Sequence, residues 1–415
     1  MAIDVAKTKV PLQELCKKIV DCPHSTPTWT DSGVVVLRNQ NIRNGRLDLS
    51  SSSFTDEEHY QQRIRRAKPL KGDLVITREA PMGEVCEIPD GLRCCLGQRM
   101  VLIRPDGNKC SGRYLLYALQ SREVRHEILV NEGTGSTVSN LRIPILERLP
   151  IPVLSLPEQR AIAHILGTLD DKIEMNRRMN ETLEAMARAI FKSWFVDFDP
   201  VRAKAEGRVS GLPPHIADLF PDSFEDSELG EIPKGWRVAT FEDISVISSG
   251  KCPQNRHTLP TTDASIPLWG GNGLIAYVPK SLYNKPILLT GRVGTLGSVF
   301  RITSPCWPSD NTLVLLSRDK EVFEFLYLNL ERVDFKSLNR GSTQPLLTQS
   351  DLKSQLFSFP GTKLLSRFHS IVNSLFEKVD ALKSESHALA ALRDTLLPKL
   401  LSGELRVKDA ERFIH

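Results

Sequence analysis

No run of about 18 apolar residues occurs in this 415-residue chain, so no membrane-spanning segment is expected. The opening MAIDVAKTKV has no apolar core of the kind an export signal needs, and a cytoplasmic location is expected. The eight cysteines (Cys16, Cys22, Cys86, Cys94, Cys95, Cys110, Cys252 and Cys306) form no C-x-x-C pair and stand beside no histidine cluster. That pattern speaks against zinc and for reduced thiols. Catalytic signatures are missing too. There is no G-x-x-x-x-G-K-[ST] nucleotide loop, no H-E-x-x-H and no G-x-S-x-G. The glycine-rich GRVGTLG at 291–297 lacks G-x-G-x-x-G spacing and reads as a tight turn between strands. LPPH at 212–215 lacks the acidic or amide residue and the aromatic of an amino-methyltransferase loop. The nine histidines are scattered singly. These absences favour a binding protein over an enzyme, with no metal expected on this chain. A net charge of +4 permits nucleic-acid binding without arguing for it.

What is present is organised around residues 156–198. Apolar side chains recur there at Ile162, Leu166, Leu169, Ile173, Leu183, Ile190 and Trp194, in the steps of three and four that make the seam of a packed helix. Pro157 suits the first turn and Pro200 ends the pattern. A helix of this length, roughly 57 Å at ~1.5 Å per residue, needs a partner. Before it, residues 1–153 read as a mixed α/β domain, with strands at 34–37, 73–77 and 100–103 and a helix over 111–131. Pro144, Pro150, Pro152 and Pro157 suggest an extended connector into the long helix of 154–200. Residues 201–230, rich in glycine and proline, read as a linker or loosely packed crossing segment. A second mixed domain is expected over 231–360, with strands at 287–290 and 312–316 and a helix near 321–330. A second long helix and tail follow over 361–415.

An internal repeat is the most informative feature. At a shift of 206 residues, Ile165 falls on Ile371, Leu169 on Leu375, Ile173 on Val379, Leu183 on Leu389, Ile190 on Leu396 and Trp194 on Leu400. Gly135-Ser136-Thr137 falls on Gly341-Ser342-Thr343. Weaker echoes join LVITR (74–78) to LLTGR (288–292), and QRMVL (98–102) to NTLVL (311–315). The expected fold is α+β: two mixed α/β domains separated by two long antiparallel helices that form a coiled coil, in a pseudo-twofold repeat. The second helix would contribute Phe368, Val372, Leu375, Val379, Leu382, Leu389 and Leu396 to the seam. Asn176 and Asn180 in one copy, and Ser386 and Arg393 in the other, interrupt the seam; such groups cost stability but can fix register.

Basic and amide residues gather at the expected strand ends. In the first domain they are Arg38, Asn39, Arg43, Arg63, Arg65, Arg66, Arg78, Gln98 and Arg99. In the second they are Lys251, Asn255, Arg256, Asn272, Arg292, Asn311 and Arg340. Arginine pairs with guanine and asparagine or glutamine with adenine, while Lys and Arg also hold phosphates. For any single such residue a solvated charged face is the commoner fate.

LPEQR (156–160) with FKSWFVDFDPV (191–201) resembles the central conserved region of specificity (S) subunits of Type I restriction–modification systems. LRDTLLPKLLSGEL (392–405) resembles their distal conserved region, and IPKGW (232–236) the entry to a target recognition domain. The first domain instead opens with VPLQEL (10–15), and the second helix begins KLLSR (363–367) without the Pro-Glu-Gln-Arg start. The resemblance implies two target recognition domains, each reading half of an asymmetric, bipartite site in double-stranded DNA, with the helix pair as spacer. It implies two modification (methyltransferase) subunits that bind S-adenosylmethionine, and restriction subunits that use ATP and Mg2+. Catalysis and all cofactors then belong to the partners. Trp194, Phe195 and Phe198 would serve packing against a partner or, equally, against the chain's own second domain. The competing expectation is an assembly scaffold with two protein-binding domains and no DNA reading.

Overall fold

The computed structural model describes residues 8–130, 140–294, 296–341 and 343–410. The Gly135-Ser136-Thr137 motif and Ser342 lie outside these residues. The described chain forms two compact units. One joins the residues up to Arg177 to those from Ser384 onward; the other is the unbroken stretch Arg178–Lys383.

The first unit is built on a four-stranded antiparallel sheet, ordered Cys16–Asp21, Met100–Pro105, Leu74–Thr77, Val85–Glu87. Leu74–Thr77 is buried on both faces, which explains its uninterrupted apolar run. A three-stranded sheet sets Val34–Leu37 between Ser53–Thr55 and, in parallel, Cys94–Leu96. The helix Gly112–Gln120 packs Tyr114, Leu115, Tyr117 and Leu119 into the core. The single helix expected over 111–131 is two. Ser121 turns extended (ψ 148°), and its Oγ accepts from the Val124 amide at 3.3 Å, starting Arg122–Val130 afresh. The proline-rich connector is partly a strand: Pro150–Val153 pairs antiparallel with Thr8–Pro11.

The second unit repeats this plan. Its four-stranded sheet runs Ser245–Ser249, Thr312–Ser317, Ile287–Gly291, Val299–Ile302, with the same directions. Its three-stranded sheet places Ile266–Gly270 between Gly273–Val278 and, in parallel, Trp307–Pro308. Arg237–Thr240 pairs with Leu356–Phe359 as the counterpart of the proline ribbon. Strand register corrects one echo by a residue. Met100 stands opposite Thr77 and Thr312 opposite Gly291, so Asn311 corresponds to Arg99 and not to Gln98. A one-residue slip matters because it moves a side chain to the other face.

The long helices are Leu156–Phe195 and Thr362–Ser402, starting 206 residues apart, each about 60 Å long at ~1.5 Å per residue. Both units own part of each helix. Within the first unit the segments run antiparallel, with Asp170 against Arg393 (2.7 Å) and Asn176 against Glu385 (2.8 Å). Within the second, Phe191 and Phe195 meet Phe368 and Glu184 meets Lys383, again antiparallel. Ile162, Leu166, Leu169, Ile173, Phe368, Val372, Val379, Leu382 and Leu396 are buried; Leu183, Ile190, Leu375 and Leu389 are half-buried.

The segment 201–230 is not loosely packed: Val201, Ile216 and Phe220 lie in the second unit's core, carried by the short helices Asp199–Ala205 and Pro214–Ala217 and the turn after them. Trp194, Phe195 and Phe198 pack inside the chain's own second unit. Trp194 meets Phe220 (5.3 Å between ring centroids), Phe195 meets Phe325 (5.0 Å) and Phe198 meets Trp236 (5.7 Å). Their chemistry is that of an aromatic core.

Candidate nucleic-acid interface

In the first unit, strands of both sheets deliver polar residues to one loop cluster. Arg38 leaves Val34–Leu37 and lays its guanidinium over the exposed Trp29 ring, 5.2 Å from the centroid. Asn39 donates to the Glu79 carbonyl at 2.5 Å, while its Oδ1 is buried without a partner among the described residues. Arg99, at a left-handed φ of 66°, pairs with the Glu79 carboxylate at 3.0 Å. Gln98 donates to the His24 carbonyl at 2.5 Å. Arg78 donates to both Asp21 carboxylate oxygens (3.0 and 2.9 Å) and to the Leu141 carbonyl (3.0 Å). Arg38, Asn39, Arg78, Gln98 and Arg99 are therefore brought together.

The other four are not part of that cluster, or not in the way expected. Arg63 is buried, and its guanidinium is shared among the carbonyls of Leu96 (2.9 Å), Ser25 (3.1 Å) and Pro23 (3.3 Å). Burial lowers its pKa from the ordinary arginine value. It braces the loops that carry those carbonyls. Arg65 and Arg66 are exposed beyond the helix Glu57–Arg63, and Arg66 edges a small recess shared with Asp21. Arg43 goes elsewhere. Its hairpin, Ile42–Arg43 with Arg46–Leu47, turns toward a groove lined also by Arg122, Arg125 and Arg393.

In the second unit the equivalent strand ends carry Lys251, Arg292 and Asn311. The Arg292 amide donates to the Asn311 carbonyl at 2.9 Å. The Lys251 carbonyl accepts from Trp307 Nε1 at 2.7 Å, and the Lys251 amide donates to the Pro308 carbonyl at 3.0 Å. A glycine is required just before it: a Cβ on Gly250 would sit 2.1 Å from the Ser309 carbonyl oxygen. Asn272 lies in the turn joining Ile266–Gly270 to Gly273–Val278, and the Ser309 amide ties this hairpin to the cluster through the Trp269 carbonyl at 2.8 Å. Asn255 and Arg256 are exposed on the loop after Lys251. Arg340 is spoken for: its Nε donates to Asp351 at 2.7 Å, and that hydrogen bond holds the Asp351 carboxyl below the usual carboxylate range.

Sequence reasoning missed Trp29, Glu79 and Asp21, which organise the first cluster. Only Trp29, a lone aromatic in a polar loop, carried a signal. Among the described residues no group of three or more His, Cys, Asp or Glu side chains is placed to hold a metal, and no helix is long and apolar enough to cross a membrane.

Comparison with known proteins converges on one family. The family model for the Type I restriction modification DNA specificity domain matches residues 7–185 and again 233–379. The Type I restriction enzyme MjaIX specificity subunit of Methanocaldococcus jannaschii is 29% identical over 364 residues, covering 82% of this chain and 79% of the relative. The HindI specificity subunit of Haemophilus influenzae is 26% identical over 404 residues, covering 81% of this chain and 87% of the relative. The crystal structure of a Type I restriction–modification S subunit from M. genitalium superposes with a TM-score of 0.57 at 19% identity, over 96% of this chain and 98% of that one, and shares the fold. With a family match that spans both units and a sheet plan repeated strand by strand, the chain belongs to the Type I restriction–modification DNA specificity family, as a specificity (S) subunit.

Proposed function

We propose that each unit reads one half of an asymmetric, bipartite double-stranded DNA target, and that the two long helices set the gap between the halves. The observation that carries this reading is the duplication of one sheet plan, with a polar loop cluster at the corresponding strand ends each time. Two copies with different side chains at equivalent positions suit two different half-sites. One turn of B-DNA is roughly 34 Å, and helices of about 60 Å are long enough to serve as a ruler.

The helix faces turned from the seam dock two modification subunits, which supply S-adenosylmethionine-dependent adenine methylation; restriction subunits using ATP and Mg2+ join that core. This chain holds none of these cofactors and works in the cytoplasm. Met179 and Met186 support docking on the second unit's part of the first long helix. Both are exposed, and their seven-residue spacing puts them on one stripe of its surface. Methionine suits an adaptable protein-binding face.

Co-expression with the modification subunit, followed by sequencing of methylated DNA, is expected to give a split motif with a fixed gap. Inserting matched helical turns into both long helices should change the gap and leave the half-sites alone. A contiguous palindrome, or binding with no sequence preference, would instead favour a bare assembly scaffold.

A further inference from the structure

Arg78 and Arg292 occupy one backbone slot in two copies. Each follows the last residue of the same strand, Thr77 in one case and Gly291 in the other. Each amide donates to the carbonyl of the residue before the neighbouring strand: Arg78 to Arg99 at 2.8 Å, Arg292 to Asn311 at 2.9 Å. Each carbonyl accepts from a leucine amide, Leu141 at 2.9 Å and Leu347 at 2.8 Å. The side chains have opposite fates. Arg78 is fixed by both oxygens of Asp21 and by the Leu141 carbonyl. Register shows what stands in the place of Asp21 in the second unit. Val101 pairs with Asp21 and Leu313 pairs with Ser249, so the carboxylate is replaced by a serine. Ser249 Oγ accepts from Gln349 Nε2 at 3.0 Å. Arg292 Nε is buried with no hydrogen-bond partner among the described residues, and no carboxylate among them pairs with this guanidinium.

A guanidinium carries five N–H donors in a fixed fork, and burying one of them unpaired is costly. Arg292 as a whole is half-buried, and a guanidinium with no carboxylate beside it among the described residues favours an acceptor that reaches it from outside. We infer that Arg292 is the contact through which the second unit grips acceptor atoms of its DNA half-site, and that Arg78, its structural twin, is an internal brace with no such role. The inference rests on the bipartite reading above and assigns unequal work to equivalent residues. The matching chemistry is a pair of acceptors: guanine O6 and N7, or two phosphate oxygens.

The test offers the purified full chain a duplex library with randomised positions, and then uses the selected duplex for affinity measurements. Arg292→Ala is expected to weaken binding roughly ten- to hundredfold. Relaxed choice of bases in one half-site identifies a base-edge contact. A loss uniform across sequences, with a shallower salt dependence, identifies a phosphate contact. Both outcomes support the inference. Ser249→Asp, which rebuilds the missing counter-ion, should weaken binding in the same direction, whereas Ser249→Asn should not. Circular dichroism and urea midpoints establish that each variant is folded, and Arg292→Gln carries the test should Ser249→Asp lower stability. An Arg292→Ala chain that binds the selected duplex as wild type does would overturn the inference and leave the bipartite reading standing. A wild-type chain that selects no motif would remove both.

Discussion

The two units share a sheet plan and a helix pair, yet hold their portions of that pair by different means. In the first unit the seam is aliphatic with polar locks. Asp170 receives Arg393 (2.7 Å), Arg46 (3.3 Å) and the Tyr117 hydroxyl (2.6 Å), and Asn176 donates to Glu385 (2.8 Å) and Ser386 (3.3 Å). In the second unit the seam is aromatic. Phe368 lies 4.9 Å from Phe195, 5.9 Å from Trp194 and 6.1 Å from Phe191, centroid to centroid. The main charge cluster of that unit, Arg301 and the buried Glu324 with the more exposed Asp380, joins sheet to helices, while the Glu184–Lys383 pair bridges the two long helices. The difference teaches that what the repeat preserves is where apolar positions fall along the helix. Directional bonds tie the helix segments together in one unit, and interlocking rings beside the Glu184–Lys383 ion pair do so in the other.

The comparison is most exposed at Phe368. Phe368→Ala should cost about 3–5 kcal/mol through lost burial and a cavity among the rings. Trp194 and Trp236 belong to that same core and four of the five tryptophans lie in this unit, so tryptophan fluorescence during urea unfolding follows mainly this unit. A loss below about 1 kcal/mol would mean that the aromatic cluster collapses freely and the contrast with the first unit is superficial. Next in size is Asp170→Ala, expected to cost about 1.5–3 kcal/mol because it strands Arg46 and the Tyr117 hydroxyl and leaves Arg393 with Asp394 alone. Hydrogen exchange should show the cost over the first unit's part of the long helices, with the second unit unchanged. The smallest effect is expected for Asn176→Leu. Glu385 keeps Lys172 at 3.7 Å, and an apolar side chain suits the seam. Stability from urea unfolding should therefore move by no more than about 1 kcal/mol in either direction. A larger loss would make the amide a main support of the first unit.

Periodicity made the skeleton legible. The seam at Ile162, Leu166, Leu169 and Ile173, and the buried runs at 74–77 and 312–316, are signals of helix and strand that survive without knowledge of neighbours. Three things were hidden. Pro150–Val153 pairs as a strand although prolines argue for a connector, since a two-stranded ribbon leaves positions that need no amide donor. Val201, Ile216 and Phe220 are too irregularly spaced to announce a core. The fates of Arg63 and Arg78 depend on acceptors 33 to 63 residues away in sequence, and nothing local distinguishes a reading arginine from a bracing one.

One unit is a single stretch of chain and the other is closed by both flanks of it. This has a consequence for birth order on the ribosome. Arg178–Lys383 has all its parts once Lys383 emerges, and can close its core at that moment. The first unit, although begun earlier, still lacks Leu396, Leu400, Leu401 and Ala410, which complete its apolar interior. Its sheet must wait, with the helix face that carries Ile162, Leu166 and Leu169 incompletely covered, until the chain returns. The segment translated second is thus the first able to finish folding, and the usual order from N-terminus to C-terminus is reversed.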